Sequence, residues 1–296
     1  MSHRILVPLE GSARDAEALA MARHIARQLD AEIVLMHVAP ILFDTRDVIA
    51  AEQRLDEYAQ ALRAEGIGAH FVMEYGDPSA AIAATGERQK AQMIVLAPEH
   101  RALLQTLWHP RVSSGLLGSA TVPLFILPDV ASEKVPVELL RDPDAIVIAA
   151  VDGSTNAELA LPIAIQLAQA YARPLVLARI VAPVFIVGSG IEAMKARHDA
   201  QYAEEAEAHR YLTDTRQRLA SEENISVETV ELVGPVADQL IRLAASHPGS
   251  VLVMGTRGRS GLVRAVVGSV AAEVMSQATT PVVVVPPPPA GDSETK

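Results

Sequence analysis

Residues 4–40 read RILVPLEGSARDAEALAMARHIARQLDAEIVLMHVAP, and residues 145–183 read AIVIAAVDGSTNAELALPIAIQLAQAYARPLVLARIVAP. The second stretch echoes the first. Glu10-Gly11-Ser12 falls on Asp152-Gly153-Ser154, and Ala39-Pro40 falls on Ala182-Pro183. Each stretch is a continuous apolar run, a turn carrying an acid, Gly and Ser, an Ala-rich helical pattern, and a second apolar run. Strands that are apolar at every position are buried on both faces, and their alternation with helices marks a parallel sheet.

The echo continues further along. Residues 93–128, MIVLAPEHRALLQTLWHPRVSSGLLGSATVPLFILP, lie without gaps over residues 251–286, VLVMGTRGRSGLVRAVVGSVAAEVMSQATTPVVVVP. The offset grows from 142 to 158 between the two matches, so the second half carries about sixteen extra residues. They fall in the Ala- and Glu-rich stretch 192–219, which has the composition of a long helix. The expected fold class is α/β: two Rossmann-like domains, each a five-stranded parallel sheet of order 3-2-1-4-5 with helices on both faces. Strands are expected at 4–9, 32–38, 69–74, 93–97 and 124–127, and again at 145–151, 174–181, 226–232, 251–255 and 282–285. The domains run over 1–128 and 145–286, with a Pro- and charge-rich linker at 129–144 and a disordered Pro-rich tail at 287–296. Both fifth strands follow a proline, as edge strands do.

The chain has 296 residues, a length that suits two domains with cores of their own. It has no cysteine, which excludes disulfides, thiolate metal sites and cysteine nucleophiles. Residues 1–142 hold 13 basic against 19 acidic side chains, and residues 143–296 hold 12 against 17, giving net charges of −6 and −5. Neither half has the basic stripe that nucleic acid requires, and only 3% of residues are aromatic. The start, MSHRILVPLEGS, lacks the apolar core and cleavage site of a signal peptide, and the apolar stretch 174–191 is broken by Arg179, Pro183, Gly188 and Ser189. A cytoplasmic protein with no membrane span is expected.

In a doubly wound sheet, ligands bind beyond the carboxyl ends of the strands where strand order reverses, here after strands one and four. In the second half these loops are Val151-Asp152-Gly153-Ser154 and the segment from Met254-Gly255-Thr256-Arg257-Gly258 through Arg259, Ser260, Gly261 and Arg264 to Gly268-Ser269-Val270. Glycines spaced as Gly255, Gly258 and Gly268 let backbone amides approach a phosphate, and Ser269 is placed to cap a helix whose N-terminus favours an anion. Asp152 suits a ribose or adenine edge, and the arginines add positive charge. By itself a GxxG turn is more often an empty strand-to-helix connection; the full spacing in this loop, beside an acidic first turn, favours a phosphate cradle.

Both halves resemble the universal stress protein family, and the chain resembles a tandem two-domain member. The family's ATP-binding pattern, G-x2-G-x9-G-[S/T], is matched at Gly255, Gly258, Gly268 and Ser269, and its first-strand aspartate at Asp152. By the same likeness Val181, ending the second strand, meets adenine. The resemblance implies ATP, ADP or AMP in the second half, with magnesium on the phosphates, as a regulatory ligand of a stress-response protein. It also implies pairing of the two fifth strands, PLFILP and PVVVVP, as an internal pseudo-dimer, with further association into a homo-oligomer. The first half departs from the pattern: Glu10 replaces the aspartate, and Ala97, His100, Pro110 and Arg111 replace the glycines and serine. Added side chains and a lost N–H donor disarm that cradle.

The sequence carries no enzyme signature. It lacks a G-x4-G-K-[ST] loop, a G-x-G-x-x-G fingerprint, a G-x-S-x-G elbow and the S-G-G-x-D-S pyrophosphate loop of ATP-dependent transferases. Efficient ATP hydrolysis is not expected; slow turnover stays open. A metal site is not expected either, since His198 and His209 lie about 16 Å apart along a helix. Asp152 is a candidate to hold a divalent ion through phosphate oxygens, although a lone acid there is more often a turn former. Trp108 is read as a packing anchor, and residues 202–212 as a solvated helix face with Glu207 and Tyr211 at i,i+4. The competing reading is a carrier or scaffold whose nucleotide motif is vestigial, with an apolar ligand held around Val184 to Val187 and the extra helix.

Overall fold

The apolar runs become strands because each is sandwiched between helices. In the computed structural model, residues 3–41, 45–98, 116–128, 142, 144–188, 190–223, 225–256 and 267–287 are described. The first half contains β1 (His3–Pro8), α1 (Asp15–Leu29), β2 (Ala31–Ala39), α2 (Thr45–Ala64), β3 (Ala69–Tyr75), α3 (Pro78–Arg88), β4 (Met93–Leu96), the short α4 (Leu116–Ser119) and β5 (Leu124–Ile126). The second half contains β6 (Val147–Ala150), the short α5 (Thr155–Glu158), α6 (Leu161–Tyr171), β7 (Leu175–Val181), α7 (Ile191–Glu222), β8 (Val227–Val233), α8 (Val236–Ala245), β9 (Val251–Gly255), α9 (Ser269–Gln277) and β10 (Val282–Val285). Most of the linker and the tail beyond Pro287 lie outside the described residues.

The strands form one ten-stranded sheet of order β3-β2-β1-β4-β5-β10-β9-β6-β7-β8. Each half has the expected 3-2-1-4-5 order, parallel throughout. The halves meet where β10 pairs antiparallel with β5, setting Val282 against Ile126, Val283 against Phe125 and Val284 against Leu124. The fifth strands are thus edges only within their own halves. Each is an apolar edge of the kind that invites pairing, and each covers the other.

Alternate strand residues enter two cores. Ile5 and Val7 point to the layer holding α1, α2, α6 and α7; Leu6 points to the layer holding α3, α4, α8 and α9. The helices follow the same logic. In α1 the buried Ala18, Leu19, Met21, Ala22, Ile25 and Ala26 form one stripe. Local chemistry sets the ends: Asp77 accepts the Ala80 N–H at 2.9 Å ahead of Pro78 in the first turn of α3. The C-caps of α1 and α6 match as well, Asp30 and Ala172 both being left-handed at φ 49° and φ 50°.

The structural repeat differs from the sequence echo by one residue in the second strands. The Gly76 N–H donates to the Ala39 carbonyl and the Gly234 N–H to that of Val181, so Ala39 matches Val181 rather than Ala182. The extra residue is taken up in the loop after β7, where it breaks no ladder hydrogen bond. No helix among the described residues is long and apolar enough to cross a membrane.

Candidate nucleotide site

The turn after β6 needs a glycine. Gly153 takes φ +76°, a region closed to most side chains, while Asp152 turns its carboxylate back to accept the Ser154 N–H at 2.9 Å. Ser154 then accepts the Ala157 N–H at 3.2 Å and caps α5. After β9, the Thr256 N–H donates to the Val285 carbonyl at 3.0 Å, and the Gly268 N–H donates to the Thr256 carbonyl at 2.8 Å. The second bond closes the neck of the loop and plants the start of α9 beside the end of β9. Sequence reasoning made Ser269 the cap of that helix. The structure corrects this: Gly268 holds the cap position with no side chain to offer, and Ser269 is the first helical residue. The leading amides of α9 have no intrahelical acceptor, and a bare cap leaves them open to an anion.

These elements enclose a cavity of about 450 Å³ beyond the carboxyl ends of β6, β7 and β9. Of the expected site residues, it brings together Asp152, Val181, Met254, Gly255, Gly268, Ser269 and Val270. Gly153 and Ser154 shape the turn but are not part of the lining. Arg257 and Gly258 lie outside the described residues, as do Arg259, Ser260, Gly261 and Arg264. The Val181 carbonyl already accepts the Gly234 N–H at 3.0 Å, so a ligand there would have to use its second lone pair, the side chain or a neighbouring group.

Sequence reasoning missed part of the wall: Arg179, Glu204, Thr256 and, beneath them, Ala178, Val236 and Leu240. Thr256 was legible as the residue after Gly255. Glu204 was not, because nothing in the sequence says which face of α7 turns to the pocket. Arg179 is 4% exposed, in register with Glu231 on β8. Tyr211 was also misread: it does not lie on a solvated face with Glu207 but is half-buried and donates to Glu158 Oε1 at 3.1 Å. Burial and the Glu158 charge push its hydroxyl up to about 12.

The corresponding cavity of the first half measures only about 170 Å³. Asp15 and Arg14 stand where the second half has Ala157 and Asn156. The buried Asp15 carboxylate accepts the Glu10 N–H at 3.0 Å and the Gly11 N–H at 2.8 Å, occupying the turn's amides with an anion of the chain's own. Arg14, also buried, donates to the carbonyls of Pro98 at 2.7 Å and Pro128 at 2.8 Å and pairs with Glu17 at 2.8 Å. It ties together the residues that follow β4 and β5. His100, Trp108, His109, Pro110 and Arg111 lie outside the described residues. His198 and His209 sit apart on α7, beside Asp199 at 3.7 Å and Glu231 at 3.5 Å respectively.

The model of the universal stress protein family matches residues 1–128 and again 145–286. The chain belongs to the universal stress protein family. It is a tandem member, and solved structures of the family repeat its architecture. A universal stress protein from Archaeoglobus fulgidus DSM 4304 is 19% identical, covers 97% of each chain and superposes with a TM-score of 0.69. Another family structure from Archaeoglobus fulgidus was solved in complex with dAMP; it is 18% identical and covers 43% of this chain and 97% of its own, at a TM-score of 0.35. A universal stress protein of Methanocaldococcus jannaschii is 35% identical over 65 residues, 22% of this chain and 38% of that protein's length.

Proposed function

We propose that the second half binds ATP, or the related ADP or AMP, as a regulatory ligand of a cytoplasmic stress-response protein. The observation that carries this reading is the convergence of Asp152, Val181, Gly255, Gly268 and Ser269, distant in sequence, on one cavity of about 450 Å³, a size usual for small-molecule sites. The triphosphate lies at the bare N-terminus of α9 and the glycine-rich loop, the ribose by Asp152, and the base along the end of β7. Magnesium arrives on the phosphates. Turnover is slow, and occupancy is the signal. The first half, its turn amides taken by Asp15, binds no nucleotide.

Heat-denatured protein, purified without added nucleotide, should release one adenine nucleotide per chain on anion exchange. Ligand at a hundred times its dissociation constant should stabilise the fold by about 2.7 kcal/mol, seen as a thermal shift. Gly258→Val with Gly268→Val should abolish both effects while the far-UV circular dichroism stays native. Two nucleotides per chain would refute the silent first half. No release and no thermal shift with ATP and magnesium would move the chain to the carrier reading, and unchanged affinity in the double variant would remove the site assignment.

A further inference from the structure

The largest departure from internal symmetry is α7. It has 32 residues where its counterpart α2 has 20, and the surplus is at its start. From Ile191 to Asp199 every residue except Ala193 is exposed. The helix docks on the domain only further along, through the buried Ala208, Leu212, Thr215 and Leu219. The leading turns therefore stand clear of the core, and a helix that short is marginal in water without a packing partner.

One face of these turns is largely apolar. Ile191, Met194, His198 and Tyr202 follow one another at spacings of three, four and four residues, which places them on one face. Ile191 is 85%, Met194 66% and Tyr202 69% exposed. The preceding loop adds the exposed Phe185 and Val187, so the aliphatic end of the stripe is also the more apolar end. Lys195 and Asp199, one turn apart, share one flank of the stripe, with the Asp199 carboxylate 3.7 Å from His198 Nδ1.

That pattern is complementary to itself when reversed. In an antiparallel pairing centred between Ala196 and Arg197, Ile191 of one copy lies over Tyr202 of the other and Met194 beside His198. Because antiparallel helices meet flank to like flank, Lys195 of each copy comes level with Asp199 of the other to within about one residue's rise of 1.5 Å. The two-fold operation yields each of the two side-chain contacts and the ion pair twice, the mark of an isologous interface. The ion pairs also act locally against the repulsion between two chains of net charge −11. We propose that the leading turns of α7 form a self-pairing surface, through which two copies of this chain associate as an antiparallel helix pair. The interface stands independently of nucleotide in the pocket.

Sedimentation equilibrium of the full chain tests this. The wild type should be dimeric. Ile191→Glu with Met194→Glu should be monomeric, with an unchanged melting curve showing that the fold is intact. Lys195→Glu and Asp199→Lys should each weaken the dimer about tenfold, and the two together should restore it, a rescue that no unrelated partner would give. A monomeric wild type, a dimer indifferent to Ile191→Glu with Met194→Glu, or charge reversals without rescue would overturn the proposal. A monomer that floats with anionic vesicles, and loses that flotation in the Ile191 and Met194 variant, would overturn it in favour of a lipid surface.

Discussion

Asp15 and Ala157 occupy equivalent positions in the two halves, and what each leaves in the turn is opposite. Two amide hydrogen bonds to a buried carboxylate are strong interactions, and deleting the acceptor strands both donors. Asp15→Ala should cost about 3 kcal/mol in urea unfolding, without adding a second nucleotide per chain, since the first-half cavity is only about 170 Å³. Tyr211 makes a different prediction. Its hydroxyl ionises near 12 in the folded state against 10.0 in the unfolded chain, so between those values the native state holds a proton that the unfolded state has lost. Its contribution to stability is complete below pH 10 and is lost as pH rises towards 12. Thermal melts across that window should fall less steeply in Tyr211→Phe than in the wild type; equal slopes would show that burial and Glu158 do not raise the hydroxyl.

Among the elements, α6 ends under strain. Ala172 adopts φ 50° and ψ 48° at its C-cap, where an L side chain is disfavoured by roughly 1–2 kcal/mol and glycine is not. Ala172→Gly should therefore raise stability by about 1 kcal/mol, read as a higher melting temperature, whereas the same change in the middle of α6 would lower it. The strands and their order were legible because a parallel sheet demands apolar runs, and the repeat offered each run twice. Boundaries moved by a residue or two: the strand expected at 145–151 is Val147–Ala150. What stayed hidden was long-range. Asp15 reads in sequence as one more acid at a helix start, and nothing local says that its carboxylate turns back onto Glu10 and Gly11. Arg14 reads as a surface charge, yet its partners lie 84 and 114 residues away. The glycine and serine positions of the pocket were legible from their spacing, while Glu204 depended on the path of a helix.

At the scale of the whole molecule, the two halves share one sheet, and Phe125 at the seam is fully buried. Phe125→Ala should cost about 3–5 kcal/mol and lower a single calorimetric transition; two separable transitions, with only one displaced, would mean that the halves melt independently. The antiparallel pairing of β5 and β10 has one more consequence. Every strand of the first half points one way and every strand of the second half the other, so the carboxyl ends of the two sets, and their cavities, lie at opposite rims of the sheet. Crossover helices run counter to their strands and turn their positive ends to those same rims. Each rim attracts anions locally, while the helix dipoles of the halves oppose one another across the molecule. Built as a back-to-back pair of poles, the chain turns its larger cavity to one side and its smaller one to the other, so that a molecule docked at one rim senses one cavity alone.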